Sequence, residues 1–210
     1  MQEEVVNNYL LWELSKPYIR SLTMHHSAPQ NKIEQIMQNN RTNIESDILS
    51  FGEKLNLVKF FSPCSNRANY FETFSWTRKN YQIRDLGTVL PVCGDLPLDI
   101  IVQSLPEVIE YVKKRLDEPN QEKSLRYVAY LMKIPDVLTI FLPVVVEPGN
   151  LQRNTGVMKT YHGPGKWDVQ PTMGYIEDGN HRAIAVAIVR NLRSIPCYVG
   201  KRARNKLFFY

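Results

Sequence analysis

Five consecutive residues, Asp178-Gly179-Asn180-His181-Arg182, bring together the side chains that phosphate chemistry uses. Aspartate can orient a histidine or hold Mg2+, and glycine lets the backbone come close to a ligand. Histidine donates a hydrogen bond or moves a proton near neutral pH, and the planar fork of arginine holds two phosphate oxygens at once. The flanking residues say how such a set would be mounted. Met173 to Glu177 reads as a strand, Asn180 to Val189 as a helix, and Ile195 to Val199 as a further strand after the turn Asn191-Leu192-Arg193-Ser194. A strand-to-helix turn through glycine leaves the first N–H groups of the helix unbonded at the positive end of its dipole, which makes an anion site. The same types also suit a structural turn, with Asp178 capping the helix, His181 a satisfied polar residue, and Arg182 paired with Glu177 or Asp178.

The rest of the chain must position that turn. Residues 1–60 read as helical: Val5, Val6, Tyr9, Leu10 and Leu14 recur at helical spacing, and Pro17 is expected to interrupt or end the first helix. A second helix is expected from Ser27 with Pro29 just inside, and a third from Thr42 or Asn43, carrying Ile44, Ile48, Leu49 and Leu55 across Gly52. From about 56 to 102 the pattern turns β-like. Strands are expected at Leu57–Phe61, at the aromatic stretch Tyr70–Trp76, at Val89–Val92 and at Leu98–Val102. Helices follow over Leu105–Leu116 and Glu122–Met132. Ile140–Val146 is a buried-strand run whose Pro143 predicts an edge or a bulge. The expectation is a mixed α/β chain, with a helical extension at 1–60 and a small sheet with flanking helices at 61–210.

Composition limits the function classes. With 43% hydrophobic residues among 210, the chain can bury a sizeable core, and no apolar run approaches a bilayer span. Met1-Gln2-Glu3-Glu4 lacks the basic start of a secretory signal, and Cys64, Cys93 and Cys197 are odd in number and widely spaced. A reducing, cytoplasmic setting is therefore expected, without a membrane partner. The net charge of +5 is unevenly placed. No acidic residue follows Asp178, whereas Arg182, Arg190, Arg193, Lys201, Arg202, Arg204 and Lys206 all do, so the positive excess lies in the C-terminal segment. That asymmetry suits a polyanion, either a nucleotide or a nucleic-acid backbone, and equally a solvated basic tail.

The string Asp178-Gly179-Asn180-His181-Arg182-Ala183-Ile184-Ala185, between two strands of which the second opens Ile195-Pro196, resembles the box of the ParB/sulfiredoxin superfamily. Strand 140–146 is similar to another strand of that fold, and the legible resemblance covers 140–147 and 173–200. It implies a nucleotide pocket. Gly179, Asn180, His181 and Arg182 would meet the phosphates of ATP or CTP, Asp178 would orient His181 or hold Mg2+, and the reaction would be hydrolysis or phosphoryl transfer. Asn180 stands where sulfiredoxins carry their cysteine, which argues against sulfiredoxin chemistry. The glutamate that serine kinases of this fold use has Glu107 as its nearest counterpart, with Asp99 as a substitute. No helix-turn-helix of a chromosome-partitioning ParB is visible after residue 200.

Further signals fill out the expectations. Gly163-Pro164-Gly165-Lys166 fails as a Walker loop, because Thr160 and Trp167 stand where glycine and Ser or Thr are needed. Residues 149–167, with four glycines and Lys159, His162 and Lys166, suit a lid that reaches phosphate. His25-His26 has no further ligand at metal spacing, and the 70–76 aromatics suit core better than base stacking. The rival function is a nuclease or DNA-binding protein that uses Arg190, Arg193, Lys201, Arg202 and Arg204. A third is a non-catalytic interaction module with residues 1–60 as its surface.

Overall fold

A computed structural model describes residues 1–24, 30–46, 48–62, 67–89, 102–118, 123–147 and 174–202. The first helix, α1 (Gln2–Met24), carries Val5, Val6, Tyr9, Leu10 and Trp12 into the core. Pro17 lies inside α1 rather than ending it. One lost hydrogen bond is outweighed by burial on both sides of the proline, since Ile19, beyond it, is buried too. The helix α2 (Gln30–Glu45) buries Ile33, Met37 and Ile44, and it runs through the positions where a separate third helix was expected to start.

That third helix, α3 (Phe51–Phe61), instead begins after Ser50. A reciprocal capping box fixes its start: the Glu53 N–H donates to Ser50 Oγ (3.3 Å) and the Ser50 N–H donates to Glu53 Oε2 (2.8 Å). The expected strand Leu57–Phe61 is thus the second half of a helix, burying Leu55 and Val58 at helical spacing. A short apolar run has no period of its own, and the cap upstream decides its conformation. The aromatic stretch is corrected in the same way. Tyr70 and Phe71 belong to α4 (Arg67–Thr73), and only Phe74 onward is strand. The aromatics pack on one another, with Tyr70–Phe74 at 4.9 Å and Phe71–Trp76 at 5.6 Å between ring centroids, which makes them core.

Six strands form one mixed sheet: β1 (Phe74–Gln82), β2 (Leu86–Val89), β3 (Val102–Ser104), β4 (Val144–Val146), β5 (Gly174–Asp178) and β6 (Ser194–Arg202), in the order β1-β6-β4-β5-β2-β3. β1 and β6 are antiparallel over nine pairs, from Phe74 with Arg202 to Gln82 with Ser194. β6 is parallel to β4, and β5 to β2. β4 is therefore an inner strand, not the expected edge, and Pro143 lies just ahead of it. The expected irregularity is present as a register shift between Val144 and Val145 against β5. Pro196 is tolerated inside β6 because the pairing with β4 begins only at Tyr198.

The helices α5 (Leu105–Arg115), α6 (Lys123–Leu131), α7 (Pro135–Leu138) and α8 (Asn180–Arg190), with a 3-10 turn at Ile83–Asp85 between β1 and β2, complete the described elements. α5 buries Val108, Ile109 and Val112, the face that its spacing predicts. Glu107 is the capping-box partner of Ser104 and accepts from its hydroxyl at 2.6 Å. Asp99 and most of the two strands expected at 89–102 lie outside the described residues. α8 packs against α5, α6 and α7, while α1 packs against α2, α3 and α4 and also reaches α6. One buried apolar cluster runs from Val5 to Val199, so α1–α3 share their core with the sheet. No helix among the described residues is long and apolar enough to cross a membrane.

Candidate functional site

β5 ends in Glu177 and Asp178, and the chain turns at Gly179 into α8. Gly179 adopts φ 89°, a left-handed conformation that favours glycine. A Cβ there would stand 2.8 Å from Arg182 Nη2, so the turn is tight on both counts. The next residue, Asn180, is buried, and its side-chain oxygen accepts from the Thr88 hydroxyl of β2. This contact ties the first turn of α8 to the neighbouring parallel strand.

Arg182 sits one turn into α8 and reaches back to Asp178, with Nη2 2.8 Å from Oδ2. Its guanidinium lies over the Trp12 ring of α1 at 4.3 Å, and the residue is only 3% exposed. The other Asp178 oxygen, Oδ1, faces Arg67 Nη2 at 3.5 Å. Arg67 opens α4. It also donates to the Glu177 carbonyl (3.2 Å) and to Ser62 Oγ (2.8 Å), and it lies 5.6 Å from the centroid of the Tyr9 ring. The Tyr9 hydroxyl shares a 2.7 Å hydrogen bond with Ser62. The Glu177 carboxylate stands 4.0 Å from Arg67 Nε. Two guanidiniums, each against an aromatic ring of one helix, thus flank a single carboxylate.

Electrostatics separate the titratable groups. Burial favours the neutral acid at Asp178, but Arg182 and then Arg67 pull harder, and its carboxyl stays below the ordinary range. At Glu177 burial prevails over the attraction of Arg67 and lifts the carboxyl to about 7. Burial, reinforced by Arg182, drops the His181 imidazole to about 4. His181 is therefore neutral at pH 7. It meets Tyr127 of α6 edge-on at 5.1 Å, and its Nε2 is buried without a hydrogen-bond partner. Arg182 Nε is likewise without one, and Arg182 lines an apolar cavity of about 50 Å3 with Phe141, Leu142, Pro143 and Ile195. That cavity has room for a water, not a nucleotide.

The expected site residues fall into three groups. Asp178, Gly179, Asn180 and Arg182 converge on one turn, while His181 leans toward Tyr127 and carries no positive charge to offer a phosphate. Asp178, expected to reach Mg2+, has its two oxygens turned to two guanidiniums, and the described residues contain no group of three His, Cys, Asp or Glu that could hold a metal ion. The basic residues expected on nucleic acid are spread apart. Arg190 pairs with Asp136, Lys201 lies 3.1 Å from Glu147, and Arg193 is exposed. Arg193 lies just before β6 and Lys201 near its far end, roughly 25 Å apart at strand rise. Arg202 closes β6 opposite Phe74. Lys166, Lys159, His162 and Arg204 lie outside the described residues.

Sequence reasoning missed Arg67, Tyr9, Trp12, Ser62 and Thr88. Tyr9 and Trp12 stand three apart on α1, a spacing that puts them on one face, although nothing local shows what they meet. Arg67 reaches the turn from 110 residues away, beyond any spacing rule. No family model matches the chain, and neither does any curated protein or any solved structure.

Proposed function

We propose that this chain is an α/β protein of ParB/sulfiredoxin-like build whose β5–α8 turn binds the phosphates of a nucleoside triphosphate, ATP or CTP. The observation that carries the reading is the turn itself: a left-handed Gly179 opens α8, and Arg182 on that helix's first turn stands with a second guanidinium around one oxyanion. In this reading the N–H groups of the first turn and Arg182 take phosphate oxygens, and Asn180, anchored on Thr88, holds the turn in place. The residues present do not fit a bound Mg2+, because both Asp178 oxygens face arginine. A neutral His181 suits hydrogen bonding better than charge transfer. The function is accordingly binding, with no chemical step assigned.

One observation favours a second reading. Arg182 is 3% exposed between Asp178 and Trp12, as in an internal clamp that fastens α1 to the sheet of a non-catalytic module. The DNA-binding alternative finds less support, because Arg190 and Lys201 are paired with carboxylates at separated places.

Melting of the wild type and of Arg182→Lys with ATP, CTP, GTP and ADP decides between the first two. A ligand at 100 times its Kd stabilises by about 2.7 kcal/mol, a readily measured rise. A rise with one triphosphate that Arg182→Lys loses supports the pocket. Absence of any rise retires it in favour of the clamp. A DNA affinity that falls steeply with salt, and further on neutralising Arg193 and Lys201, would bring the nucleic-acid reading forward.

A further inference from the structure

The geometry points to Arg67 as a second phosphate-binding arginine, and to the place between Arg67 and Arg182, filled in this structure by the Asp178 carboxylate, as the seat of a ligand phosphoryl group. This rests on the reading of the β5–α8 turn as a phosphate site, and it adds to the box a residue from outside the segment that resembles it.

Three observations support it. The first is the division of one carboxylate between two cations: Asp178 gives Oδ2 to Arg182 at 2.8 Å and Oδ1 to Arg67 at 3.5 Å. A phosphoryl group is an oxyanion of the same kind with one oxygen more, and guanidiniums bind both through in-plane N–H groups. The second is the support beneath the pair. Tyr9 and Trp12, three residues apart on α1, lie under Arg67 and Arg182 at 5.6 and 4.3 Å. The ring contacts and the bonds from the guanidinium edges, Arg182 to Asp178 and Arg67 to Ser62, the Glu177 carbonyl and Asp178, hold both forks in place, so both are oriented before any ligand arrives. The third is access. The Arg182 side chain is 3% exposed, whereas those of Arg67 and Glu177 are 17% and 12% exposed. Of the two guanidiniums Arg67 is thus the one nearer solvent, and a ligand would meet it before Arg182.

The test uses Asp178→Asn, Arg67→Gln, Arg67→Lys and the double variant Asp178→Asn/Arg67→Gln, with inorganic phosphate and ATP as probes at constant ionic strength balanced with chloride. Asp178→Asn leaves two arginines around a neutral amide. Its melting temperature is expected to rise with phosphate well beyond any rise in the wild type, and the double variant to lose that gain. In the wild-type background, Arg67→Gln is expected to weaken ATP about 10- to 100-fold, the usual weight of a hydrogen bond to a charged group, and Arg67→Lys to recover part of it. The inference is overturned if phosphate raises Asp178→Asn no more than wild type, or if Arg67→Gln binds ATP as tightly as wild type. The two failures are distinguishable. ATP binding that needs Arg182 but not Arg67 removes the second arginine and keeps the triphosphate pocket. A phosphate response that needs Arg67, without ATP binding, keeps the seat and removes the triphosphate. Should Asp178→Asn not fold, the Arg67 variants decide alone.

Discussion

Burial displaces Glu177 and His181, four residues apart across one turn, in opposite senses, and their pH dependences should nearly cancel. Glu177 rises from an ordinary 4.5 to about 7 through burial, against the pull of Arg67. His181 falls from 6.5 to about 4 through burial, with Arg182 adding to the fall. Between pH 4.5 and 7 the folded protein holds a proton on Glu177 that the unfolded chain has released. That contribution to stability is present at low pH and is lost as pH rises through the folded value. Between pH 4 and 6.5 the unfolded chain protonates His181 while the folded protein does not, so that contribution grows as pH rises. Each gap spans about 2.5 pH units, worth about 3 kcal/mol. In the wild type the two opposed slopes leave little net trend.

Single substitutions uncover each slope. The stability of Glu177→Gln relative to wild type should rise by about 3 kcal/mol from pH 4.5 to 7, and that of His181→Gln should fall by about 3 kcal/mol over the His181 window. Asp178 does not interfere, because its carboxyl lies below the ordinary 3.8 and titrates under this range. Urea unfolding across the window, extrapolated to water for each protein, measures the differences directly. The reasoning is refuted if both variants run parallel to wild type. The two groups would then titrate near their ordinary values in the folded state, and burial would not be the cause of either displacement.

Three further outcomes follow from contacts at and beside the turn. Gly179→Ala forces a left-handed residue and a Cβ 2.8 Å from Arg182 Nη2, so thermal unfolding should show a loss of about 1–2 kcal/mol or more. Thr88→Val keeps the shape but strands the buried Asn180 oxygen, which should cost about 1–3 kcal/mol in urea unfolding, whereas Thr88→Ser should cost much less. Cys197 is fully buried, and burial pushes its thiol up to about 12, so peptide mapping after mild alkylation should find it unmodified until the protein unfolds. Modification of native protein at Cys197 would contradict that.

The fold was legible where local and tertiary preferences agree. α8 has an apolar run between a glycine turn and Asn191, itself left-handed at φ 46°, and its expected bounds fall within a residue of the observed ones. The α5 face was legible for the same reason. Leu57–Phe61 was misread because its β-favouring side chains were weighed without the cap, Ser50 with Glu53, a helix start that its spacing alone reveals, and Tyr70–Phe71 because aromatic content was weighed as strand. Pro17 was misread because a proline penalty is local, while the burial that overrides it is spread along α1. At the site, Asp178 and Arg182 stand four apart, a pairing that helical spacing predicts, and they pair. Arg67, Tyr9 and Trp12 were invisible because only the tertiary fold brings α1 and the start of α4 to the β5–α8 turn.

That tertiary arrangement bears on what the arginines are for. A buried ion pair contributes little net stability against apolar side chains of similar volume, because desolvation cancels most of the attraction, whereas removing one partner alone is costly. A clamp whose only task was to hold α1 against the sheet would be served as well by Tyr9 and Trp12 packed on aliphatic partners. The turn instead carries two guanidiniums against one carboxylate held below its ordinary range, with the Glu177 carboxyl lifted to about 7 beside them. Replacing Asp178 and Arg182 together by apolar residues separates the two accounts. Arg67 loses its Asp178 partner in that variant, so both accounts allow a loss of stability. The response to phosphate and triphosphate is what separates them: a clamp shows none even in the wild type, whereas a ligand site shows it in the wild type and loses it in the variant.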